Sequence, residues 1–173
     1  MTTVNTPPGP DRARETPRRR RLAELAAGLL ACCAAAAAAQ QIPQPRLPTV
    51  QLGAGMHNIV AEVASTPQQR QIGMMMRTQM AQHEGMLFVF ESPAQQCFWM
   101  RNTLLPLSIA FVADDGRIVN IAEMQARSDD THCSAKPVRY VLEMNRGWFD
   151  KRGIKAGDRL RGKVFGDGNP AGR

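Results

Sequence analysis

The chain has 173 residues, of which 43% are hydrophobic and 21% charged, and it carries a formal net charge of +7. This length and composition fit one folded domain and exclude a generally disordered protein. The charge does not indicate nucleic-acid binding. Residues 1–39 hold six of the 22 Lys and Arg and three of the 15 Asp and Glu, so 16 minus 12 leaves +4 dispersed over the rest, without the basic run or interleaved aromatic residues of a nucleic-acid surface.

Residues 1–39 have the pattern of a cleaved signal peptide. Arg18 to Arg21 form its positive segment, and an uncharged, alanine-rich run follows from Ala26 to Ala39. The final alanines supply the small residues that signal peptidase requires. The run is shorter and less hydrophobic than the roughly 20 residues of a transmembrane helix, so no transmembrane segment is predicted. The sequence therefore predicts a periplasmic or secreted protein.

Two variants of export remain open. The segment LLAC ends at Cys32 and loosely resembles a lipoprotein cleavage box, in which Cys32 would be acylated and would anchor the mature protein. The arginine run also resembles a twin-arginine signal, so the choice of export route stays open. After the signal, residues 40–55 are rich in Pro and Gln and are interpreted as a flexible lead-in.

Short apolar segments bounded by turn residues predict a single β-rich domain over residues 56–165, followed by a tail over 166–173. The expected architecture is mostly β, a small and jelly-roll-like β-sandwich or barrel with one or two short helices. Strands are predicted in HNIVAEVAST, EGMLFVFESP, CFWMRN, PLSIAFV, GRIVNIAEM and VRYVLEMN, and a last one near the end of GIKAGDRLRGKVF.

One helix start has a specific signal. Ser65 or Thr66 is expected to cap a short helix, because Pro67 suits the first helical position and Gln69 stands three residues after Thr66, as in a capping box. Gly73 should end this helix.

One hairpin is equally well marked. Asp115-Gly116 stands between two alternating apolar runs, a pattern typical of a tight turn that joins antiparallel strands.

The motifs GMLFVF, FWMRNTLLPLSIAF, DDGRIVNIAEM, RYVLEMNRGWF and GIKAGDRL follow one another between His57 and Lys163. In these motifs the chain resembles the family called domain of unknown function 192. The resemblance implies a compact β-rich fold, often behind an export signal, and no established activity. The family usually has lysine where Arg101 stands and aspartate where Ser108 stands. The second departure removes a carboxylate, which puts any acid–base role of that position in doubt.

The segment CFWMRN supplies the first candidate site. Alternation along a strand would place Cys97, Trp99 and Arg101 on one face, and a buried Arg needs a partner. In one interpretation Arg101 pairs with a carboxylate such as Glu143, and Asn102 caps the next turn. In the other, Trp99, Arg101 and Asn102 line a small cleft in which Arg101 holds an anionic or carbonyl group.

The strand VRYVLEMN adds Glu143 and Asn145 to the candidate ligand-binding residues. Cys97 and Cys133 are the two cysteines left after cleavage at Ala39. They do not form a C-x-x-C motif, so a structural disulfide is predicted in preference to thiol–disulfide catalysis.

No catalytic residue, metal site or cofactor is predicted. His57, His83 and His132 lack zinc spacing, and neither Ser108 nor Ser134 stands in a hydrolase motif. Seven methionines invite a weaker hypothesis of Cu(I) binding through thioethers, although methionine is also a common core residue. They are Met74, Met75, Met76, Met86, Met100, Met124 and Met144.

Together these features favour an exported, non-catalytic module that binds a small polar or anionic ligand or an envelope protein. The alternative is an enzyme that acts on envelope carbohydrate or a small polar substrate, with Arg101, Glu143 and Asn145 as its candidate residues. The two differ in one respect: the enzyme requires a titrating group with a perturbed pKa in the cleft.

Overall fold

The computed structural model describes residues 42–166. This range forms nine strands, one α-helix and two short 3-10 turns at Asp150–Arg152 and Lys163–Phe165. In chain order the elements are β1 (Thr49–Ala54), β2 (His57–Ala64), α1 (Pro67–Ile72), β3 (Glu84–Ala94), β4 (Cys97–Phe98), β5 (Leu107–Val112), β6 (Ile118–Met124), β7 (His132–Cys133), β8 (Val138–Asn145) and β9 (Leu160–Arg161).

Seven of the strands make one curled sheet in the order β6-β5-β8-β3-β2-β1-β9, which forms a half-barrel. Strands β2 and β3 are parallel, and α1 lies in the connection between them. The other pairs of neighbours are antiparallel. A separate ribbon pairs β4 with β7. The predicted mostly β class is therefore confirmed, in the form of a partly closed barrel.

Both faces of the sheet are covered, so its central strands are buried on both sides. All six residues of β5 are buried. Along β8, Tyr140, Leu142 and Met144 pack in one core with Trp148 and residues near the C-terminal end of the described chain. Val141 packs in the other core, together with residues of β3, β5 and the segment after α1. This alternation also directs the residue between Leu142 and Met144, Glu143, towards the second core.

The predicted helix start is confirmed at Thr66. The Thr66 hydroxyl accepts from the Gln69 N–H at 3.2 Å, and the Gln69 side chain accepts from the Thr66 N–H at 3.0 Å. Pro67 occupies the first turn and Gly73 ends the helix with a φ of 51°. The helix is therefore short, and it delivers the residues after Gly73 to the second core.

The predicted hairpin is confirmed between β5 and β6. Ala113 and Arg117 close the turn with a backbone hydrogen bond of 2.9 Å, and Gly116 has a φ of 83°. A Cβ on Gly116 would collide with the Leu160 carbonyl oxygen, so glycine is required for the close approach as well as for the turn.

Two predictions need correction. The segment 40–55 is not a flexible lead-in throughout, because Thr49–Ala54 forms β1 and pairs with both β2 and β9. Val50, Leu52 and Ala54 alternate towards a core, a pattern too short to recognise beside the prolines. The segment CFWMRN is not a six-residue strand: pairing stops after Phe98, and the chain turns at Arg101-Asn102.

Three predictions lie outside the described residues: the signal peptide over 1–39, acylation of Cys32 and most of the tail over 166–173. Within residues 42–166, no helix is long and apolar enough to span a membrane.

Candidate functional site

A pocket of about 290 Å³ lies between α1 with its following residues, β3, and the start of the segment after β4. Its apolar walls are Met74, Met75, Phe88, Phe90, Phe98 and Trp99, with Ile72 beside them. Arg70, Gln71, Gln96, Thr103 and Glu143 are the polar residues that line it. Aromatic walls with a few convergent polar groups are typical of small-molecule sites.

The disulfide pair holds one wall of the pocket in place. Cys97 and Cys133 are directly opposite in the β4–β7 ribbon, and their Sγ atoms lie 2.09 Å apart, as predicted from the cysteine count. The ribbon presents Phe98, whose ring meets Phe88 edge-on with centroids 4.9 Å apart and Phe111 at 6.2 Å. Phe98 is thereby anchored in the second core, and Trp99 follows it at the rim.

The helix supplies the opposite wall. A Cβ on Gly73 would come within 3.1 Å of the Phe88 ring, so the glycine lets the chain pass close over β3 before Met74 and Met75. Arg70 lies above Phe90, with its Cζ 5.0 Å from the ring centroid. The Arg70 guanidinium donates to the Val89 carbonyl at 2.9 Å and to the Glu91 carboxylate at 3.0 Å.

Glu143 is the one acid among the residues that line this pocket. It is only 4% exposed and stands between Met86 of β3 and Ile109 of β5 in the sheet register. Within residues 42–166, no hydrogen bond or ion pair reaches its carboxyl, and burial raises its pKa to about 8. Burial disfavours the charged form of an acid, so this carboxyl is mostly protonated at neutral pH.

Thr103 provides a second polar group that is free to meet a ligand. The residue is buried, and its backbone is committed: its N–H donates to the Met100 carbonyl at 2.9 Å, and its carbonyl accepts from Arg127 at 3.0 Å. No hydrogen bond of its hydroxyl occurs among the described residues. The pocket therefore contains a carboxyl and a hydroxyl that lack protein partners.

The structure brings together two of the five predicted ligand-binding residues, Trp99 and Glu143. Trp99 is 48% exposed, which is high for so large a side chain. Arg101 and Asn102 are not among the residues that line the pocket. Arg101 does not pair with Glu143, because its Nε donates to Asp129 at 2.6 Å and its Cζ lies 4.2 Å from the Trp99 ring centroid.

Asn102 and Asn145 have local contacts instead. The side-chain amide nitrogen of Asn102 lies 4.0 Å from the Met75 sulfur, and the Asn102 backbone carbonyl accepts from the Met76 N–H. The Asn145 amide donates to the carbonyls of Met80 and Ala81. Asn145 therefore fastens the segment before β3 to the end of β8.

Five of the seven methionines of the Cu(I) hypothesis lie in the two cores. Met74, Met86, Met100 and Met124 belong to the second core, whereas Met144 belongs to the first. Their positions fit core packing. No group of three or more His, Cys, Asp or Glu side chains within residues 42–166 is placed to hold a metal ion.

A carboxylate that the sequence did not single out lies beside Ser108. The Ser108 hydroxyl donates to Glu123 at 2.6 Å, and the Gly147 N–H donates to both side chains, at 2.8 Å to Ser108 and at 3.0 Å to Glu123. Glu123 comes from β6, opposite Ser108 in the register. It supplies a carboxylate beside Ser108, the position at which the family resemblance implies aspartate.

A second depression of about 270 Å³ lies around Trp148. The Trp148 indole donates to the Gln82 carbonyl at 2.7 Å, and the Arg152 Cζ lies 4.4 Å from its ring. Its indole is therefore already hydrogen-bonded within the protein, and no acid is among the residues that line this depression.

The comparisons agree with the fold. The model of domain of unknown function 192, described as "Uncharacterized ACR", matches residues 49–162. A solved protein from Sinorhizobium meliloti 1021, described as a "putative transcription regulator", is 38% identical with a TM-score of 0.66 over 70% of this chain and 98% of that one. A protein of unknown function from Novosphingobium aromaticivorans DSM 12444 is 33% identical, with a TM-score of 0.62. The match covers 71% of this chain and 96% of that one. No protein of curated function matches.

Proposed function

This chain belongs to the domain of unknown function 192 family, and we propose that it is an exported, non-catalytic binding module whose ligand occupies the pocket lined by Trp99 and Glu143. The ligand is a small molecule with an apolar body and at least one polar group. The pocket volume of about 290 Å³ is near the lower end of the ~300–1,000 Å³ range of ligand sites.

The observation that carries this proposal is the Glu143 carboxyl. A polar group that leaves water without gaining a hydrogen-bond partner costs stability, and the largely buried Glu143 carboxyl lines an aromatic pocket with no protein partner among the described residues. A protein that needed only a stable core would be better served by an apolar residue at this position. A bound ligand would supply the hydrogen-bond partner that the protein does not provide to the Glu143 carboxyl.

A catalytic role is the second candidate, and the same residue favours it. An acid whose pKa is raised to about 8 is suited to give and take protons near neutral pH. The cation of the pocket argues for binding, because Arg70 is already engaged with Glu91 and is not free to stabilise a developing negative charge. An enzyme would turn over a substrate with a rate that titrates near pH 8 and would lose that rate in Glu143→Gln.

Export is part of the proposal and has two supports. The pattern of residues 1–39 is that of a signal peptide, and Cys97 and Cys133 are directly opposite in the β4–β7 ribbon, where an oxidising compartment such as the periplasm would join them. An intact mass of the protein from fractionated cells is the test. A mature chain that begins at Gln40, or at an acylated Cys32, supports export; a full-length cytoplasmic chain with both thiols reduced contradicts it.

The Sinorhizobium meliloti protein is described as a "putative transcription regulator", but we do not propose that this chain binds DNA. Outside residues 1–39 the net charge is only +4 and is dispersed, whereas nucleic-acid surfaces concentrate basic residues.

Binding itself is tested with thermal unfolding in the presence of a library of small polar–apolar molecules. We expect a subset to raise the unfolding temperature of the wild type and to lose that effect in Trp99→Ala. Arg101→Ala is the matched control, because Arg101 lies beside Trp99 but does not line the pocket. A ligand effect that survives in Trp99→Ala and disappears in Arg101→Ala would place the site elsewhere.

A further inference from the structure

We propose that the ligand is a compact organic ammonium, whose nitrogen pairs with the Glu143 carboxyl and the Thr103 hydroxyl and whose carbon body packs among the aromatic and methionine side chains. This inference rests on the proposed function, because it names the chemical class that the same pocket would take. It replaces the anionic ligand that the sequence predicted from Arg101.

The charges around the pocket favour a cation. Among the residues that line it, Glu143 and Arg70 are the ionisable side chains, since Cys97 is paired with Cys133. Arg70 is engaged by the Val89 carbonyl and the Glu91 carboxylate. An anion would therefore meet no uncommitted cation there. An ammonium would instead supply the charge that lets the buried carboxyl ionise.

The hydrogen-bonding groups point the same way. An ionised carboxylate accepts hydrogen bonds and does not donate them, and a hydroxyl can accept as well. A primary ammonium has three donors, enough for the Glu143 carboxylate and the Thr103 hydroxyl, which line the same pocket. An ammonium needs only acceptors, so this pairing requires no protein donor.

The walls suit the carbon body of such a ligand. Phe88, Phe98 and Trp99 present aromatic rings, and Met74 and Met75 present thioethers. Ring faces attract cations by about 0.5–2 kcal/mol, more when water is excluded. The methionines are flexible enough to adapt to the shape of a small alkyl or aryl group.

The proton linked to binding is that of Glu143. The residues that flank it in the sheet, Met86 of β3 and Ile109 of β5, do not titrate. On the side of α1 the charged group is Arg70, with Glu91 paired to it, and on the side of β4 the cysteine is oxidised. Affinity for an ammonium should therefore rise with pH until Glu143 is ionised in the free protein.

The test uses three probes of similar size: 2-phenylethylammonium, the neutral 2-phenylethanol and the anionic 3-phenylpropanoate. Calorimetric titration of the full chain at pH 6, 7 and 8 measures each affinity. We expect the ammonium to bind at least about tenfold more tightly than the alcohol at pH 8, with affinity falling about tenfold per pH unit below that. Glu143→Gln should lose the preference for the ammonium and the pH dependence while it keeps binding to the alcohol.

The outcomes separate this inference from the proposed function. If the alcohol or the carboxylate binds the wild type as tightly as the ammonium, the ammonium proposal is overturned while the binding pocket stands. If none of the three binds, the ammonium proposal is overturned as well. Thermal unfolding with the library of small polar–apolar molecules then decides whether the pocket binds any ligand. A near-ultraviolet circular dichroism spectrum of Glu143→Gln that matches the wild type shows that the variant is folded.

Discussion

Trp99 and Arg101 form a stacked pair at the rim of the pocket, with the guanidinium carbon 4.2 Å from the ring centroid. The same guanidinium is held by Asp129, and both charged side chains are more than half exposed. The Arg101 guanidinium covers one face of the Trp99 ring and does not line the pocket. The cation that the sequence placed inside a cleft therefore lies on the outer surface. Ligand specificity should consequently depend on Trp99 and Glu143, whereas Arg101 should matter little.

Replacing Arg101 with Ala tests this arrangement. An exposed ion pair and an exposed cation–π contact each contribute about 0–1 kcal/mol, so we expect a loss of about 1 kcal/mol or less in the free energy of unfolding. Urea denaturation measures it. Affinity for the pocket's ligand should be unchanged, and a specific loss of binding to anions in this variant would restore the interpretation drawn from the sequence.

The pH dependence of stability should carry the signature of Glu143. Its pKa is raised from 4.5 to about 8 in the folded chain, so between these values the folded state holds a proton that the unfolded state has released. Stability therefore falls as pH rises from 5 to 8, by at most roughly 1.4 kcal/mol per pH unit. Glu143→Gln should remove this fall and be more stable than the wild type at pH 8.

Glu91→Gln is the control for that measurement. Glu91 is exposed, and its pKa is lowered by a hydrogen bond from its own backbone N–H and by Arg70. Its replacement should leave the decline between pH 5 and 8 in place. A wild type whose stability is flat over this range would show that Glu143 has no raised pKa.

Glu62 and Arg77 form a buried, two-point ion pair at 2.5 and 2.8 Å. Removing one member of a buried pair costs about 3–5 kcal/mol, so Arg77→Ala should be strongly destabilised in urea denaturation. Arg46→Ala is the matched control, because Arg46 contacts the same carboxylate at 2.7 Å from a mostly exposed position and should cost about 1 kcal/mol or less. Equal losses in the two variants would contradict the assignment of Arg77 as the structural partner.

The same pair predicts an acid-sensitive fold. Burial alone would raise the pKa of Glu62, but hydrogen bonds from Arg77, the Leu47 N–H and Arg46 lower it below 4.5. The stabilisation is therefore present above pH 4.5 and is lost as pH falls through the lower, folded value. Acid titration followed by circular dichroism should show unfolding at higher pH in Arg77→Ala than in the wild type.

The disulfide should stabilise both the fold and the wall of the pocket. The bridge joins positions 36 residues apart, for which the chain-entropy model gives about 3–4 kcal/mol. A double variant with Cys97→Ser and Cys133→Ser should unfold at a lower temperature than the oxidised wild type and bind ligand more weakly, because Phe98 and Trp99 lose their anchor. Adding reductant should destabilise the wild type and leave the double variant unchanged; equal sensitivity of both would contradict the bridge.

Much of the fold was predictable because local signals agree with it. The strands around Ile59, Phe88, Ile109 and Val141 and the cap at Thr66 were recognised from apolar patterning and turn chemistry. Strand β1 was missed, because Val50 and Leu52 make too short an alternation beside several prolines. The stretch from Trp99 to Asn102 was mistaken for a strand, since alternation of side chains does not distinguish a strand from a loop that a disulfide holds in place.

The site was less predictable, because its parts come from distant positions in the chain. The sequence predicts Trp99 and Glu143 as candidates, but Met74, Met75 and Thr103 join them only through the crossover from β2 to β3 and the turn after β4. No local sequence pattern predicts that these residues lie close together. The partner of Arg101 was misjudged for the same reason: Asp129 lies in a polar loop whose position relative to β4 depends on the β4–β7 ribbon.

The central claim, that the pocket beneath Trp99 binds a small ligand, can be tested directly by nuclear magnetic resonance. The chain has two tryptophans, and their indole N–H signals report on two separate places, since Trp99 lines the pocket and the Trp148 indole is hydrogen-bonded to Gln82. During titration with cationic, neutral and anionic fragments, we predict that the Trp99 signal moves and saturates while the Trp148 signal stays. A Trp99 signal that no fragment class moves, or fragments that move the Trp148 signal alone, would contradict the account.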